Sequence, residues 1–180
     1  IFSSGRVGEL PYYVTPYIEG ESLADRLQQE QQLPLKDALD ITREIADALA
    51  YAHDRGVVHR DVKAENILID ADTGRAVVTD FGIARLAESA PLTWTGQMLG
   101  TVYYLSPEQI SGDPVDGRSD VYSLGVLGYV ALSGRFPFDA PLASAVIVSH
   151  VTKPAPALRG VAPHIPAELA TPPRQAIQPF

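Results

Sequence analysis

The chain has 180 residues, 46% of them hydrophobic and 20% charged, a balance that suits one soluble globular domain with a sizeable core. Its formal net charge of -8 argues against a nucleic-acid partner, whose phosphates it would repel. There is no cysteine, which excludes disulfides and thiolate chemistry, and the 4 histidines are too scattered for a zinc site.

Residues 1–20 lack the basic start and continuous apolar stretch of a signal peptide. The chain begins at Ile1, not at methionine, and reads as a piece of something longer. Tyr12, Tyr13, Val14 and Thr15 predict a strand, preceded by a glycine-containing turn at Arg6–Gly8 and closed by Pro16. Glu19-Gly20-Glu21 predicts a turn, and Ser22 an N-cap for a short helix through Leu23 and Leu27. After Pro34 the apolar positions Ala38, Ile41, Ile45, Ala48, Leu49 and Ala52 share one helical face, and Arg55-Gly56 marks the stop.

Val57-Val58, Ile67-Leu68-Ile69 and Ala76-Val77-Val78 predict short buried strands. Asp80 to Glu108 is long and irregular, a kind of segment that is usually functional or disordered. Ser119 to Leu132 predicts a helix buried nearly all round and stopped by Gly134; its apolar run falls short of the about 20 residues that span a bilayer. Leu142 to Val151 predicts another helix, read as an amphipathic core element. Beyond Lys153 prolines recur at 154, 156, 163, 166, 172, 173 and 179 and break regular structure. There is no internal repeat.

The segment His59-Arg60-Asp61-Val62-Lys63-Ala64-Glu65-Asn66 resembles the catalytic loop of protein kinases, with Val62 in place of leucine. Asp80-Phe81-Gly82 resembles the kinase magnesium motif, and Gly100-Thr101 with Ser106-Pro107-Glu108 resembles the end of an activation segment. Arg118 to Gly125 resembles the start of the central buried helix of the kinase large lobe. Order and spacing agree throughout, in the manner of the bacterial Ser/Thr kinases related to eukaryotic ones. The fold implied is α+β: a mainly helical C-terminal lobe with a remnant of the small-lobe sheet. Residues 1–20 would be the end of the small lobe and the hinge, 21–160 the large lobe, and 161–180 a Pro-rich loose tail.

The resemblance implies ATP, Mg²⁺ and a protein substrate bearing Ser or Thr. Asp61 would take or orient the proton of the substrate hydroxyl, Lys63 would stabilise the transferred phosphate, and Asn66 and Asp80 would hold Mg²⁺. Gly82 permits the bend after Asp80. Pro16, Ile18, Ser22 and Leu68 would line the nucleotide: Pro16 and Ile18 through their backbones at the adenine, Ser22 at the ribose, Leu68 beneath the base. Thr15 would guard the back of that pocket. Arg60 would receive a phosphate placed on Thr93 or Thr95, ordering the activation segment. Thr101 would lie in the substrate-docking loop and hydrogen-bond near Asp61 and Lys63, and Asp120 would accept bonds from the catalytic-loop backbone while also suiting a helix N-cap. A second copy of the kinase is a candidate partner. The family places the domain in the cytoplasm, in many cases on a membrane-anchored parent.

The chain departs from the family in having no G-x-G-x-x-G loop, no V-A-I-K strand lysine and no partner glutamate helix, so the 180 residues alone are expected to be inactive. No convincing arginine partner for Glu108 lies between Val161 and Phe180. A pseudokinase scaffold is the alternative; the presence of Asp61, Asn66 and Asp80 favours the enzyme. A small-molecule phosphotransferase of the aminoglycoside-kinase kind lacks the long activation segment and ranks lower.

Overall fold

The computed structural model describes residues 2–8, 10–81, 100–163, 165 and 166. Two strands open the chain, β1 (Ser3–Val7) and β2 (Leu10–Val14), paired antiparallel with Ser3 opposite Val14 and Val7 opposite Leu10. The sequence predicts only the second of them. The first is polar and small in composition, and the hairpin ladder imposes its conformation.

The next strand corrects the expected turn at residues 19–21. β3 (Gly20–Ser22) is followed by helix α1 (Leu23–Glu30) and α2 (Leu35–His53). It pairs antiparallel with β4 (Ile67–Asp70), which pairs in turn with β5 (Ala76–Val78). A side chain at Gly20 would put its Cβ 1.9 Å from the carbonyl oxygen of Ile69, so only glycine lets the two strands close. Ser22 ends β3 and caps α1: its hydroxyl accepts the Asp25 backbone N–H at 3.1 Å, and the Asp25 carboxylate reaches back to the Ser22 N–H at 3.3 Å.

Helix α2 buries Ala38, Ile41, Ile45, Leu49 and Ala52, the stripe that the 3.6-residue period predicts. Val57-Val58 is not a strand. The Val57 N–H bonds back to the Ala52 carbonyl at 3.0 Å, where it helps to close the end of α2, and the Val57 side chain is exposed.

A 3₁₀ turn, Ala64–Asn66, leads into β4. A second, Thr101–Tyr103, precedes α3 (Pro107–Ser111), α4 (Gly117–Ser133), α5 (Ala143–Thr152) and α6 (Leu158–Val161). α4 starts two residues before the predicted Ser119, capped by Asp116, whose carboxylate accepts the Arg118 N–H at 2.9 Å. It ends at Gly134 in the left-handed conformation, φ 68°. Its buried residues lie on every side, because α2 covers one face while α3, the loop at His59–Arg60 and Tyr104 from before it, and His150 and α6 from after it, cover the others.

Leu23, Ile45, Leu49, Val62, Ile67, Val126 and Leu127 form the centre of the main core, and Ala162 and Ile165 extend it. Each such side chain stabilises the fold by about 1.5–3 kcal/mol. A smaller cluster of Val102, Leu105, Phe138 and Val146 joins the second 3₁₀ turn to α5. Among the described residues no helix is long and apolar enough to cross a membrane.

Candidate active site

The loop from His59 to Asn66 connects the end of α2 to β4, and buried bonds on both sides hold its shape. Asp120, in the first turn of α4 and 1% exposed, accepts the N–H of His59 at 2.8 Å on Oδ2 and the N–H of Arg60 at 2.7 Å on Oδ1. His53, the last residue of α2, meets the same Oδ2 through Nε2 at 2.7 Å. Arg60 sits at φ 68°, a conformation that costs a non-glycine residue on the order of 1–3 kcal/mol and needs such support. Gln109 of α3 donates from Nε2 to the Arg60 carbonyl at 2.8 Å, so both polar groups of this strained peptide are satisfied.

His59 ties the loop to the strand end before Asp80. Its Nδ1 accepts the Asp61 N–H at 3.2 Å, so the neutral ring carries its hydrogen on Nε2, which donates to the Thr79 carbonyl at 2.9 Å. Its ring also lies 4.6 Å from that of Phe81. Thr79 donates from its backbone N–H and its hydroxyl to the Asn66 carbonyl, at 2.9 and 3.1 Å. The residue after it, Asp80, is at φ 55° with an exposed side chain.

Two of the predicted residues converge on the carboxylate of a third. Asp61 Oδ2 accepts from Asn66 Nδ2 at 3.1 Å and faces the Lys63 ammonium at 3.0 Å. Asn66 Nδ2 also donates to the Asp61 carbonyl at 2.8 Å, which fixes the orientation of the amide and turns its oxygen away from Asp61. Lys63 Nζ donates onward to Thr101 Oγ1 at 3.1 Å. Thr101 is thereby attached to the loop across 38 residues of sequence.

The predicted nucleotide residues fall into two groups. Ser22 and Leu68 face each other across the β3–β4 ladder. The Ser22 hydroxyl is already engaged with Asp25, donating to its Oδ2 at 2.6 Å. Pro16 and Ile18 lie in the irregular segment between β2 and β3, Pro16 exposed and Ile18 half-buried. Gly82, Thr93 and Thr95 lie outside the described residues.

The sequence reading overlooks His53, Gln109 and Ser119. Gln109 carries a usable signal, since Ser106 and Gln109 have capping-box spacing and form that box, with the Ser106 N–H donating to Gln109 Oε1 at 3.1 Å. Ser119 is a partner of Glu108: its buried hydroxyl donates to the Glu108 carboxylate.

The family model for the protein kinase domain matches residues 8–171. The chain belongs to the protein kinase family. The chain is 49% identical over 145 residues, 81% of its length, to a protein named serine/threonine-protein kinases drp72 from Corynebacterium efficiens. It is 45% identical over 151 residues, 84% of its length, to serine/threonine-protein kinase PknA of Mycobacterium tuberculosis. To serine/threonine-protein kinase PrkC of Bacillus subtilis it is 39% identical over 166 residues, 92% of its length. The matches span 28%, 35% and 26% of those relatives. The mixed α+β architecture, with small antiparallel sheets and several helices, is that of a kinase domain.

Proposed function

We propose that this domain transfers the γ-phosphoryl group of ATP to Ser or Thr hydroxyls of protein substrates. The observation that carries the reading is the convergence of Asn66 and Lys63 on one oxygen of Asp61, with Thr101 attached to Lys63. That arrangement holds the carboxylate in one direction, as a group that takes a proton from an incoming hydroxyl requires.

In this mechanism Asp61 accepts the substrate hydroxyl proton as the hydroxyl oxygen bonds to phosphorus and the bond to ADP breaks. Lys63 balances charge on the phosphoryl oxygens, and Thr101 keeps its ammonium aimed at the reacting group. The donor chemistry suits Mg²⁺: the Asn66 amide is turned with its oxygen away from Asp61, and Asp80, which follows the Thr79 that bonds to Asn66, supplies a carboxylate, both hard ligands. Mg²⁺ bound there would neutralise the phosphate charge. Pro16, Ile18, Ser22 and Leu68 contribute to the nucleotide pocket. Phosphorylation of Thr93 or Thr95 regulates the site through Arg60.

On this reading residues 1–20 are the end of the small lobe and the hinge and 21–160 the large lobe; Ala162 and Ile165, buried in the main core, carry the packed chain beyond the boundary expected at 160. The domain works in the cytoplasm. The 180-residue chain, whose sequence has no glycine-rich loop or strand lysine, is inactive by itself.

The test is phosphate transfer from labelled ATP by the full-length gene product, with Mg²⁺ and a mixed protein substrate. Labelled phosphoserine or phosphothreonine is expected, and Asp61→Asn should lower turnover by about 10²–10⁴-fold. Turnover indifferent to Asp61→Asn would overturn the assignment and return the scaffold alternative.

A further inference from the structure

We propose that His150 is a positioning residue: acting through Tyr122 and Phe138, it seats the segment Thr101–Leu105 where a substrate polypeptide is received. What the segment receives rests on the kinase reading; the seating itself does not.

His150 lies in the last turn of α5 and is 1% exposed. Its Nδ1 is 2.7 Å from the Tyr122 hydroxyl of α4, the tautomer deciding which of the two donates. The Phe138 ring stands edge-on at 4.9 Å. Among the described residues Nε2 has no hydrogen-bond partner of ordinary geometry, the Tyr103 backbone being the polar group that acts on the ring from the segment itself. Burial lowers the pKa of the ring to about 4, outweighing a weaker interaction with the Tyr103 backbone, so the ring is neutral at physiological pH.

Burying a polar ring among apolar side chains is unfavourable, and an aliphatic side chain would suit these surroundings better. Stability alone therefore does not account for a histidine here. The bond to Tyr122 accounts for it geometrically, since it sets the separation of α4 and α5 at one point.

That point bears on the segment from two sides. Ser123, the neighbour of Tyr122, donates from Oγ to the Tyr104 carbonyl at 2.7 Å. Val102 and Leu105 pack with Phe138 and with Val146, one turn back along α5 from His150. The segment is thus held between α4 and α5, and the His150–Tyr122 bond fixes the width of that seat. Its front end is held independently by Lys63 at Thr101. Loosening the seat should therefore displace Val102 to Leu105 and leave the group around Asp61 in place.

The experiment uses the full-length gene product with His150→Leu, His150→Asn, and the double variant Tyr122→Phe with His150→Leu. Amide hydrogen exchange is measured for residues 101–105 and 59–66, alongside KM for protein substrate and for ATP and the melting temperature. His150→Leu is expected to speed exchange at 101–105 and raise the KM for protein substrate by about tenfold each, the ratio one hydrogen bond accounts for. Exchange at 59–66 and the KM for ATP should not change. His150→Asn, whose amide stands near the place of Nδ1, should restore both values. The double variant leaves no orphaned hydroxyl, so it should melt as the native protein does and still exchange fast. It carries the measurement if His150→Leu fails to fold. Native exchange at 101–105 in the double variant would overturn the proposal and make the pair mere packing. If the native protein transfers no phosphate, the kinase reading fails, and the exchange measurement still decides the seating.

Discussion

The carboxylate of Asp120 accepts the backbone N–H of Arg60 at 2.7 Å while Arg60 is held at φ 68°. A buried anion thus stabilises a backbone conformation that the residue would otherwise leave. Asp120→Asn keeps the shape but turns an N–H₂ group toward one of the backbone N–H donors. We expect a stability loss of about 2–4 kcal/mol by urea unfolding. Phosphate transfer should fall by more than the folded fraction does, because Asp61 is the next residue.

Thr101→Val removes one of the two acceptors of Lys63 and leaves Asp61 as the other. Turnover should drop about tenfold with a stability change under about 1.5 kcal/mol. Thr101→Ser retains the hydroxyl and should behave as the native protein. Equal turnover in the Val and Ser variants would show that the bond is dispensable.

Gly20→Ala would drive a methyl group into the Ile69 carbonyl, 1.9 Å from the Cβ position. The expected cost is about 1–3 kcal/mol. Exchange should accelerate at the Ala71 N–H, which bonds to the Glu19 carbonyl at 2.8 Å beside this contact. Gly74, with open space around its own Cβ position but φ 69°, serves as a comparison for conformational strain without collision.

Acid should weaken the fold through His150. Its pKa is lowered from 6.5 to about 4 in the folded state, so between those values the unfolded chain binds the extra proton. The stability contributed by the neutral buried ring is complete above about pH 6.5 and lost as pH falls toward 4, by on the order of 3 kcal/mol in total. Below pH 4 this residue adds no further loss. The difference in unfolding free energy between the native protein and the Tyr122→Phe, His150→Leu variant, followed from pH 7 to 4, isolates the effect. A difference that does not vary with pH would contradict it.

The elements legible in the sequence are those whose signal is local. The stripe of Ala38, Ile41, Ile45 and Leu49 declares α2 by its period, and Ser22 and Asp25 declare the cap of α1. β3 is not legible, because Gly-Glu-Ser has no strand preference and owes its form to Leu68, Ile69 and Asp70 across the ladder. Val57-Val58 misleads for the opposite reason: its β-branched residues find no ladder, and α2 takes the first N–H. At the site, Asp61, Lys63 and Asn66 are close in sequence and their types state their chemistry. The contacts of His53 with Asp120, Gln109 with Arg60 and Ser119 with Glu108 are not legible singly, since each is one polar pair joined only when helices pack.

The attachment of the His59–Asn66 loop to α4 also has a consequence during synthesis. Asp120 follows Arg60 by 60 residues. While a ribosome makes the chain, α2 and the loop emerge well before the carboxylate that supports Arg60, and closing so long a separation is a late step in folding. The nascent loop therefore relaxes toward ordinary negative φ, with Asp61 misdirected, until α4 arrives. A chain arrested before residue 117 would carry every residue of the Asp61 cluster but not the carboxylate that holds the Arg60 N–H, so the support of the loop is incomplete until the helix is made.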